Sequence, residues 1–347
     1  MDSGIEWVRP ALDALEGEWR ALEGWAEASF FQSWTWVGCC AAERYPRPWL
    51  LRVREDGRVV ALGLFNETRR RGLGTVWLGE SGDPALDAVF TEYNGILAEP
   101  GAAGLEIWLA TAMGRQRRVV LSGVDPACAA AAARVGVVRE LAVRPAYRAS
   151  LEGVNADAFL AGLSRSARQQ LRRSDRLYGV IAVQRAETVY DAQAMLAALV
   201  ALHCQGWATR GRATNLARPT IQAFLRALVD RGVPTGEVDL LRIEGSAGPI
   251  GYLLTVRRGG WVGYYQGGFD YAGAGPQQKP GMSCHHAAIR FYIGQGAAAY
   301  DFMAGEGQLK RTLSNASVPL HWLEVAPRWS GHGLVMRARA RVARHRG

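Results

Sequence analysis

Lysine is nearly absent from this chain of 347 residues. Of its 41 basic residues only Lys279 and Lys310 are lysines, and all the others are arginines. A genome that favours arginine codons would explain this bias without any function. Both lysines nevertheless lie in the stretches QKPGMS and YDFMAGEGQLKRTL, which carry most of the candidate site residues. The rarity of lysine therefore singles out these two stretches.

Long apolar runs and paired cysteines are also lacking. The longest uncharged run, residues 192–209, contains glutamines and a histidine and predicts a partly buried helix rather than a membrane span. The start MDSGIEWVRP has no basic segment followed by an apolar one, so a secretory signal is not expected. The 5 cysteines are odd in number and lack metal-site spacing, which favours structural thiols. These absences predict a cytoplasmic globular protein.

The net positive charge of the chain belongs to its second half. Residues 1–150 hold 17 basic and 19 acidic side chains, whereas residues 151–347 hold 24 and 13. Five of the arginines fall in the last 17 residues, which predicts a basic flexible tail over residues 331–347. A one-sided basic field suits an anionic partner such as a phosphorylated cofactor, a nucleic acid or an anionic lipid surface.

Strand and helix signals alternate in both halves. In the first half, WLLRVRE and GRVVALGLFNETRR predict a hairpin that turns at Asp56-Gly57. The second half begins with a predicted helix, LSRSARQQLRRSDRLYG, in which Ser166 and Gln169 have capping-box spacing. It ends with two hairpin strands, a Gly/Pro-rich loop, a helix at MSCHHAAIRFYIGQG and the strand AAYDFMAG. The fold class predicted is α/β with mixed sheets.

This order of elements resembles the GNAT acyltransferase fold, in which a hairpin leads to a phosphate-binding loop, a helix and a splayed strand. Within that superfamily the chain is most similar to the two-lobed branch that includes Fem-type peptidoglycan aminoacyl transferases and cellulose-biosynthesis-type acetyltransferases. The residues that carry the resemblance are LHCQGW, Gly268-Phe269-Asp270, Pro280-Gly281, Tyr300-Asp301-Phe302, Gly305 and Lys310, with FQSWTW and TEYNGIL in the first half. The resemblance implies a degenerate GNAT-like lobe at 1–150 and a catalytic GNAT-like lobe at 151–330, with the site in the cleft between them.

GNAT enzymes bind coenzyme A through the pattern Q/R-x-x-G-x-G/A. The stretch QKPGMS matches it at Gln278 and Gly281 but has Ser283 in the last position. Gly281 would let backbone N–H groups approach a pyrophosphate at the start of the following helix, and Lys279 would add a point charge. The expected co-substrate is an acyl-CoA or acyl-ACP, and the serine leaves a carrier-protein pantetheine or an aminoacyl-tRNA end open as donors. A helix start that binds no ligand is the alternative.

Acyl transfer to an amine needs a proton acceptor and donors for the thioester oxyanion. Asp270 and Asp301, expected at the same edge of adjacent strands, would hold or deprotonate the amine, and a bulge at Gly267-Gly268 would present backbone N–H groups. His203 would act as a base or contact the substrate beside Trp207, four residues away on one helix, and the alternative is a core histidine whose ring N–H donates to a carbonyl. Lys310 would neutralise a bound anion or keep Asp301 ionised, and the alternative is an ordinary surface lysine.

Aromatic side chains complete the predicted site. Trp207, Tyr265, Phe269 and Phe302 are expected to contact the substrate. Cys284, His285 and His286 are successive helix positions that point in different directions, so no metal is expected. Each acid could instead cap a loop or pair with an arginine.

Arginines at 165, 168, 172 and 176 lie on one face of the predicted helix that opens the second half. Such a face is usually just solvated, but it could also dock an anionic lipid surface at the inner membrane, tRNA or an acidic acyl carrier protein.

The function favoured is N-acyl transfer from an acyl thioester to a primary amine of a sugar, amino acid or lipid base. One rival is an aminoacyl-tRNA-dependent transferase, against which the lack of an inserted helical hairpin counts, and nucleic acid is expected only in that case. The other rival is a non-catalytic accessory protein in envelope or polysaccharide assembly.

Overall fold

The computed structural model describes residues 3–70, 73–102, 104–114 and 117–344. Its strands are β1 (Ser3–Val8), β2 (Pro48–Glu55), β3 (Arg58–Arg70), β4 (Leu73–Leu78), β5 (Leu97–Ala98), β6 (Arg118–Val124), β7 (Val137–Ser150), β8 (Ala182–Arg185), β9 (Val238–Gly245), β10 (Gly248–Arg258), β11 (Trp261–Phe269), β12 (Ala299–Ala304) and β13 (Ala316–Ala326). Its α-helices are α1 (Leu12–Glu23), α2 (Trp34–Glu43), α3 (Leu105–Met113), α4 (Pro126–Val135), α5 (Ala156–Gly162), α6 (Arg165–Tyr178), α7 (Val189–Ala208), α8 (Pro219–Gly232), α9 (Pro280–Gly294), α10 (Gln308–Leu313) and α11 (Gly331–Arg344).

The chain divides into two compact units, Met1–Arg144 with Pro319–Gly347, and Pro145–Val318. Residues 319–330, which the sequence assigns to the second lobe, fall in the first unit. The basic stretch that begins at residue 331, predicted as a flexible tail, is helical as α11.

Both halves of the chain repeat one order of elements. The first reads β1-α1-α2-β2-β3-β4-α3-β6-α4-β7, with the short β5 added, and the second reads β8-α7-α8-β9-β10-β11-α9-β12-α10-β13. In each repeat one parallel pair, β4 with β6 or β11 with β12, is joined through a helix. The last strands are exchanged, since β13 pairs with β6 in the first unit and β7 pairs with β12 in the second.

The first unit is built on a mixed sheet whose hairpin was predicted correctly. β2 and β3 pair antiparallel and turn at Asp56 (φ 49°) and Gly57 (φ 79°). A turn with two left-handed residues matches the twist of a hairpin, which is why Asp-Gly is a strong signal there. Helices α3 and α4 pack buried residues such as Trp108 and Ala131 against this sheet.

The second unit has the strand order β7-β12-β11-β10-β9-β8. Neighbouring residues at the end of β11 face opposite sides of this sheet. A Cβ on Gly268 would lie 2.1 Å from the Leu199 carbonyl oxygen of α7, whereas the Phe269 ring contacts His285 of α9. Because side chains alternate along a strand, α7 covers one face of the sheet and α9 covers the other.

Helix α6 packs against α9 with its small and apolar side chains, Ala167, Leu171 and Ser174, all of which are buried. Its amino-terminal cap is Ser164, whose hydroxyl accepts the Ala167 N–H at 3.2 Å. The prediction of Ser166 as the cap is wrong by two residues. Both serines precede the buried residues of α6. Ser164 is the cap because its backbone is extended (φ −60°, ψ 154°), as a residue at the cap position requires.

Within the described ranges, no helix combines the length and apolar character of a membrane span. All five cysteines are free thiols, four of them buried and Cys204 half-buried.

Candidate active site

The second unit opens between its two parallel strands. β11 and β12 pair over three positions, from Trp261–Ala299 to Gly263–Asp301. Beyond Asp301, the described pairs of β12 are with β7 on its other side, where the register shifts between Asp301 and Ala304. Such a shift marks a bulge, which bends the strand. The two strands therefore separate after Gly263 and leave a wedge between them.

Asp301 and Lys310 both bind the backbone at this bend. Met303 adopts a left-handed conformation (φ 64°) that non-glycine residues rarely take. The Asp301 carboxylate accepts the Met303 N–H at 2.7 Å and the Trp261 indole N–H at 3.3 Å. The Lys310 ammonium donates to the carbonyl oxygens of Met303 (3.1 Å) and Ala304 (2.7 Å). These contacts hold the conformation that ends the pairing of β11 with β12.

The expected juxtaposition of Asp301 and Asp270 is wrong. Asp301 is 0% exposed and lies beside Gly263, close to the start of β11. Asp270 follows the other end of the same strand, so the two acids are separated by roughly 20 Å along it. The error comes from the register, because the sequence pattern identifies both strands but not the residues that pair.

The bulge in β11 also lies at a different place from the predicted one. The register with β10 shifts between the pairs Leu254–Gln266 and Thr255–Tyr264, which makes Tyr265 the bulge residue instead of Gly267-Gly268. Close packing explains why glycines stand at positions 267 and 268. A Cβ on Gly268 would collide with the Leu199 carbonyl of α7, and one on Gly267 would lie 2.9 Å from the Tyr264 hydroxyl.

The predicted donor-binding residues surround the start of α9. Gln278 shapes the preceding loop, since its side chain accepts the Gly275 N–H at 2.6 Å and donates to the Leu177 carbonyl at 3.3 Å. Lys279 is exposed at the cap position. Gly281 is buried in the first turn, where a Cβ would lie 3.2 Å from the Tyr271 hydroxyl and 3.3 Å from the Leu309 side chain.

Ser283 faces α6 and not the loop. The Lys279 N–H donates to the Ser174 hydroxyl at 2.8 Å, and the Ser283 hydroxyl donates to Asp175 at 2.6 Å. The two serine oxygens are 2.8 Å apart, and because the Ser283 proton goes to Asp175, Ser174 donates to Ser283. The serine that departs from the GNAT pattern therefore anchors α6 on α9.

Asp175 belongs to this anchor and was not predicted. Its second carboxylate oxygen lies 2.8 Å from His286 Nδ1. A single acid among the arginines of α6 carries no sequence signal of this role, because the contact depends on how α6 crosses α9. His285, the neighbour of His286, turns instead to the Tyr300 hydroxyl at 2.9 Å. In the part of the chain that the structure describes, no three His, Cys, Asp or Glu side chains form a metal-binding group.

Aromatic rings enclose His285. The ring of Tyr264 meets it edge-on at 4.4 Å, and those of Phe302 and Phe269 lie at 5.2 and 5.8 Å. Burial, with a smaller effect of Lys310, lowers the pKa of His285 to about 3. Phe302 is fully buried in this cluster, Phe269 is half-buried and Tyr265 is 8% exposed. Phe302 therefore supports the wedge from inside the core.

His203 and Trp207 share one face of α7, as predicted, with their rings stacked at 6.0 Å. His203 Nδ1 lies 2.8 Å from the Gly267 carbonyl oxygen, and Nε2 lies 3.0 Å from the Thr214 hydroxyl. A carbonyl only accepts, so Nδ1 carries the proton and Nε2 accepts from Thr214. Burial, and to a lesser degree Arg210, lowers the pKa of His203 below its usual 6.5, although the Gly267 carbonyl opposes this. His203 is thus a neutral, oriented imidazole beside β11.

Asp270 closes the loop that leads to α9. Its carboxylate accepts the Gly273 N–H at 2.8 Å. Together with Gln278 and Arg176 it lines a cavity of about 370 Å³ at the end of α6. A separate cavity of about 530 Å³, between α5, α6 and α10, contains none of the predicted site residues.

One protein-family model matches part of the chain. Residues 165–311 match the family model described as an acetyltransferase (GNAT) domain. No curated protein sequence matches the chain.

Solved structures share the fold along almost the whole chain. FemX is 10% identical, covers 91% of this chain and 96% of its own, and superposes with a TM-score of 0.58. The C-terminal domain of a protein from Agrobacterium fabrum that is described as a lysylphosphatidylglycerol synthetase is 12% identical, with 95% of each chain covered and a TM-score of 0.59. L-PGS from Bacillus licheniformis is 9% identical, with 94% of this chain and 95% of its own covered and a TM-score of 0.52. Residues 165–311, all within the second unit, therefore match a GNAT acetyltransferase domain, and the chain as a whole shares its fold with FemX.

Proposed function

We propose that this protein transfers an acyl group from a thioester donor to a primary amine by direct attack in a ternary complex. The observation that carries the proposal is the wedge between β11 and β12, which opens after Gly263 and has α9 beginning at the end of the loop that leaves β11. An extended acyl-pantetheine arm fits between two separated strands, and the start of a helix favours its phosphates.

The edge of β11 that faces β12 offers the oxyanion contacts. Beyond Gly263 the described pairing with β12 has ended, so backbone N–H groups on that edge face the wedge. Hydrogen bonds from fixed backbone donors are worth most at an oxygen that gains charge in the transition state. In this proposal Asp301 and Lys310 are positioning residues, because they hold the bend that opens the wedge.

The proton route runs through Thr214 and His203. As the amine nitrogen forms the new C–N bond, its proton passes to the Thr214 oxygen while the Thr214 proton passes to His203 Nε2. The C–S bond breaks, the sulfur leaves with the electron pair, and His203 returns the proton to it. The Gly267 carbonyl keeps Nδ1 protonated, so the basic nitrogen always faces Thr214.

Calorimetric titration with acetyl-, octanoyl- and palmitoyl-CoA tests the donor. Gly281→Trp should weaken binding at least tenfold, because the indole would displace Tyr271 and Leu309 at the start of α9. Gly294→Trp is the matched control, since Gly294 ends the same helix with open space around it. Equal affinities of the two variants, or binding of charged tRNA without any thioester binding, would contradict the proposal. A panel of amino sugars, amino acids and sphingoid bases then identifies the acceptor by release of free thiol.

A further inference from the structure

Helix α6 presents a row of arginines to solvent. The arginine row consists of Arg165, Arg168, Arg172, Arg173 and Arg176, which with Gln169 line an open concavity of about 590 Å³. From Arg165 to Arg176 the row runs about 17 Å along the helix at 1.5 Å per residue. The opposite side of α6 is buried against α9, so the row is held on a fixed element.

The charges of the row have no acidic partners within the described ranges. Among the residues that the structure describes, no carboxylate lies within ion-pair distance of Arg165, Arg172, Arg173 or Arg176. The acid of α6, Asp175, is bound to Ser283 and His286 instead. Arg168 differs from the other arginines because it donates to the carbonyl oxygens of Ala161 and Leu163 at the end of α5. A fixed row of like charges suits an anionic partner that supplies the missing counter-charges.

One end of the row lies at the proposed donor entrance. Arg176 lines the cavity of about 370 Å³ together with Gln278 and Asp270, which both belong to the loop that leads to α9. The hydroxyl of Ser174, two residues before Arg176, binds the Lys279 N–H at the start of that helix. Two apolar side chains adjoin the same end, Leu177 (51% exposed) and Val180 (82% exposed).

The length and position of the row indicate which anionic partner it fits. The phosphates of a coenzyme A molecule at the start of α9 would meet the Arg176 end, but the row continues about 17 Å away from it. A bilayer would use the charge but does not account for a row that ends at the donor entrance. An acidic protein that carries its acyl group on a phosphopantetheine arm satisfies both features.

We propose that the arginine row is the docking surface for an acidic acyl carrier protein that delivers the acyl thioester. This inference rests on the proposed function and names its donor. The acidic face of the carrier lies along Arg165 to Arg173, and the phosphate of its arm lies near Arg176. The arm then passes into the wedge between β11 and β12, where the transfer described above takes place.

The test compares two donors in a charge-reversed variant. Arg165→Glu/Arg172→Glu reverses the part of the row far from the loop and spares both Arg168, which binds α5, and Arg176. Arg226→Glu/Arg231→Glu on α8 is the matched control, with the same change in net charge on a helix that packs with α7. Each protein is assayed with octanoyl carrier protein and with octanoyl-CoA, and the binding of apo carrier protein, which lacks the arm, is measured by calorimetry.

The row variant should raise the KM for octanoyl carrier protein at least tenfold and leave the KM for octanoyl-CoA within twofold. The control should change neither value. Apo carrier protein should bind the wild type, more weakly as salt rises, and should bind the row variant at least tenfold more weakly.

Three results would overturn the docking proposal: an equal rise in both KM values, wild-type affinity of the row variant for apo carrier protein, or binding of the row to anionic vesicles but not to carrier protein. Failure of the proposed function would give a result distinct from these three. If neither donor is turned over while apo carrier protein still binds the row, the docking surface stands and the acyl transfer is wrong.

Discussion

The two repeats have the same order of elements, yet their parallel strands differ in how far they stay together. In the first repeat β4 and β6 pair over four positions, and Asn94, from the loop after β4, forms a bridge with Val124. The Asn94 amide donates to the Leu78 carbonyl at 2.9 Å and to the Ser122 carbonyl at 3.0 Å, which ties the two strands together. In the second repeat β11 and β12 pair over three positions and then separate.

This difference shows that the shared topology does not by itself make a site. The first repeat closes the space between its strands with a side chain from a loop. The second keeps the space open with a bend that Asp301 and Lys310 hold. In the first repeat the Asn94 amide bridges the parallel pair, whereas in the second the Asp301 carboxylate binds the bend after which the strands separate.

Loss of the Asp301 carboxylate should have the largest effect. Asp301→Ala leaves the buried Met303 N–H and the half-buried Trp261 indole N–H without this acceptor, and each such loss costs about 1–3 kcal/mol. We expect the free energy of unfolding, measured by urea titration, to fall by about 3–5 kcal/mol, and transfer to be abolished. Asp301→Asn keeps one acceptor oxygen and should be milder in both respects. Full transfer activity in Asp301→Ala would remove the positioning role.

His203 should determine the pH dependence of transfer. His203→Gln removes the proton acceptor, and we expect kcat to fall about 10²-fold or more. Because the pKa of His203 is lowered, the imidazole is neutral at pH 7, and kcat of the wild type should decline only when acid protonates it, below pH 6.5. A kcat profile from pH 4.5 to 8 checks this sign. An acid limb that persists in His203→Gln would assign the titration to another group.

The closing amide of the first repeat should affect stability alone. Asn94→Ala leaves the Leu78 and Ser122 carbonyls without this donor, at a cost of about 2–3 kcal/mol in the free energy of unfolding. The KM for the thioester and kcat should stay within twofold of the wild type. Transfer that falls as steeply as in Asp301→Ala would mean that the first repeat takes part in the chemistry.

Ser283→Ala should have the smallest effect. The alanine matches the GNAT pattern but removes the hydrogen bonds to Asp175 and Ser174, so the midpoint of thermal unfolding should drop by a few degrees, equivalent to about 1 kcal/mol. Donor affinity from calorimetry should change less than twofold. A large gain or loss of affinity would show that the serine contacts the donor after all.

Periodicity was sufficient to predict much of this fold. Residues three or four apart share a face of a helix, and this spacing predicts both the arginine face of α6 and the neighbouring positions of His203 and Trp207. The two-residue turn Asp56-Gly57 predicts the hairpin in the same local way. Those features needed no knowledge of distant contacts.

Residue spacing does not predict the register of paired strands or the point at which two helices cross. Asp301 lies at the base of the wedge and not at its edge, because it pairs with Gly263. Ser283 faces α6 because that helix crosses α9 at Ser174, 109 residues away along the chain. The bulge falls at Tyr265 because β10 shifts there. Each of these depends on which distant residues meet, and a single sequence does not record that.

The exchange of last strands has a consequence for synthesis on the ribosome. β6 obtains its neighbour β13 only near the end of the chain, as the contact of Arg118 with Glu324 across 206 residues shows. Until those residues emerge, the first unit has an open sheet edge, which is the kind of edge that recruits foreign strands. We therefore expect the nascent first half to aggregate more readily than the chain that includes β13.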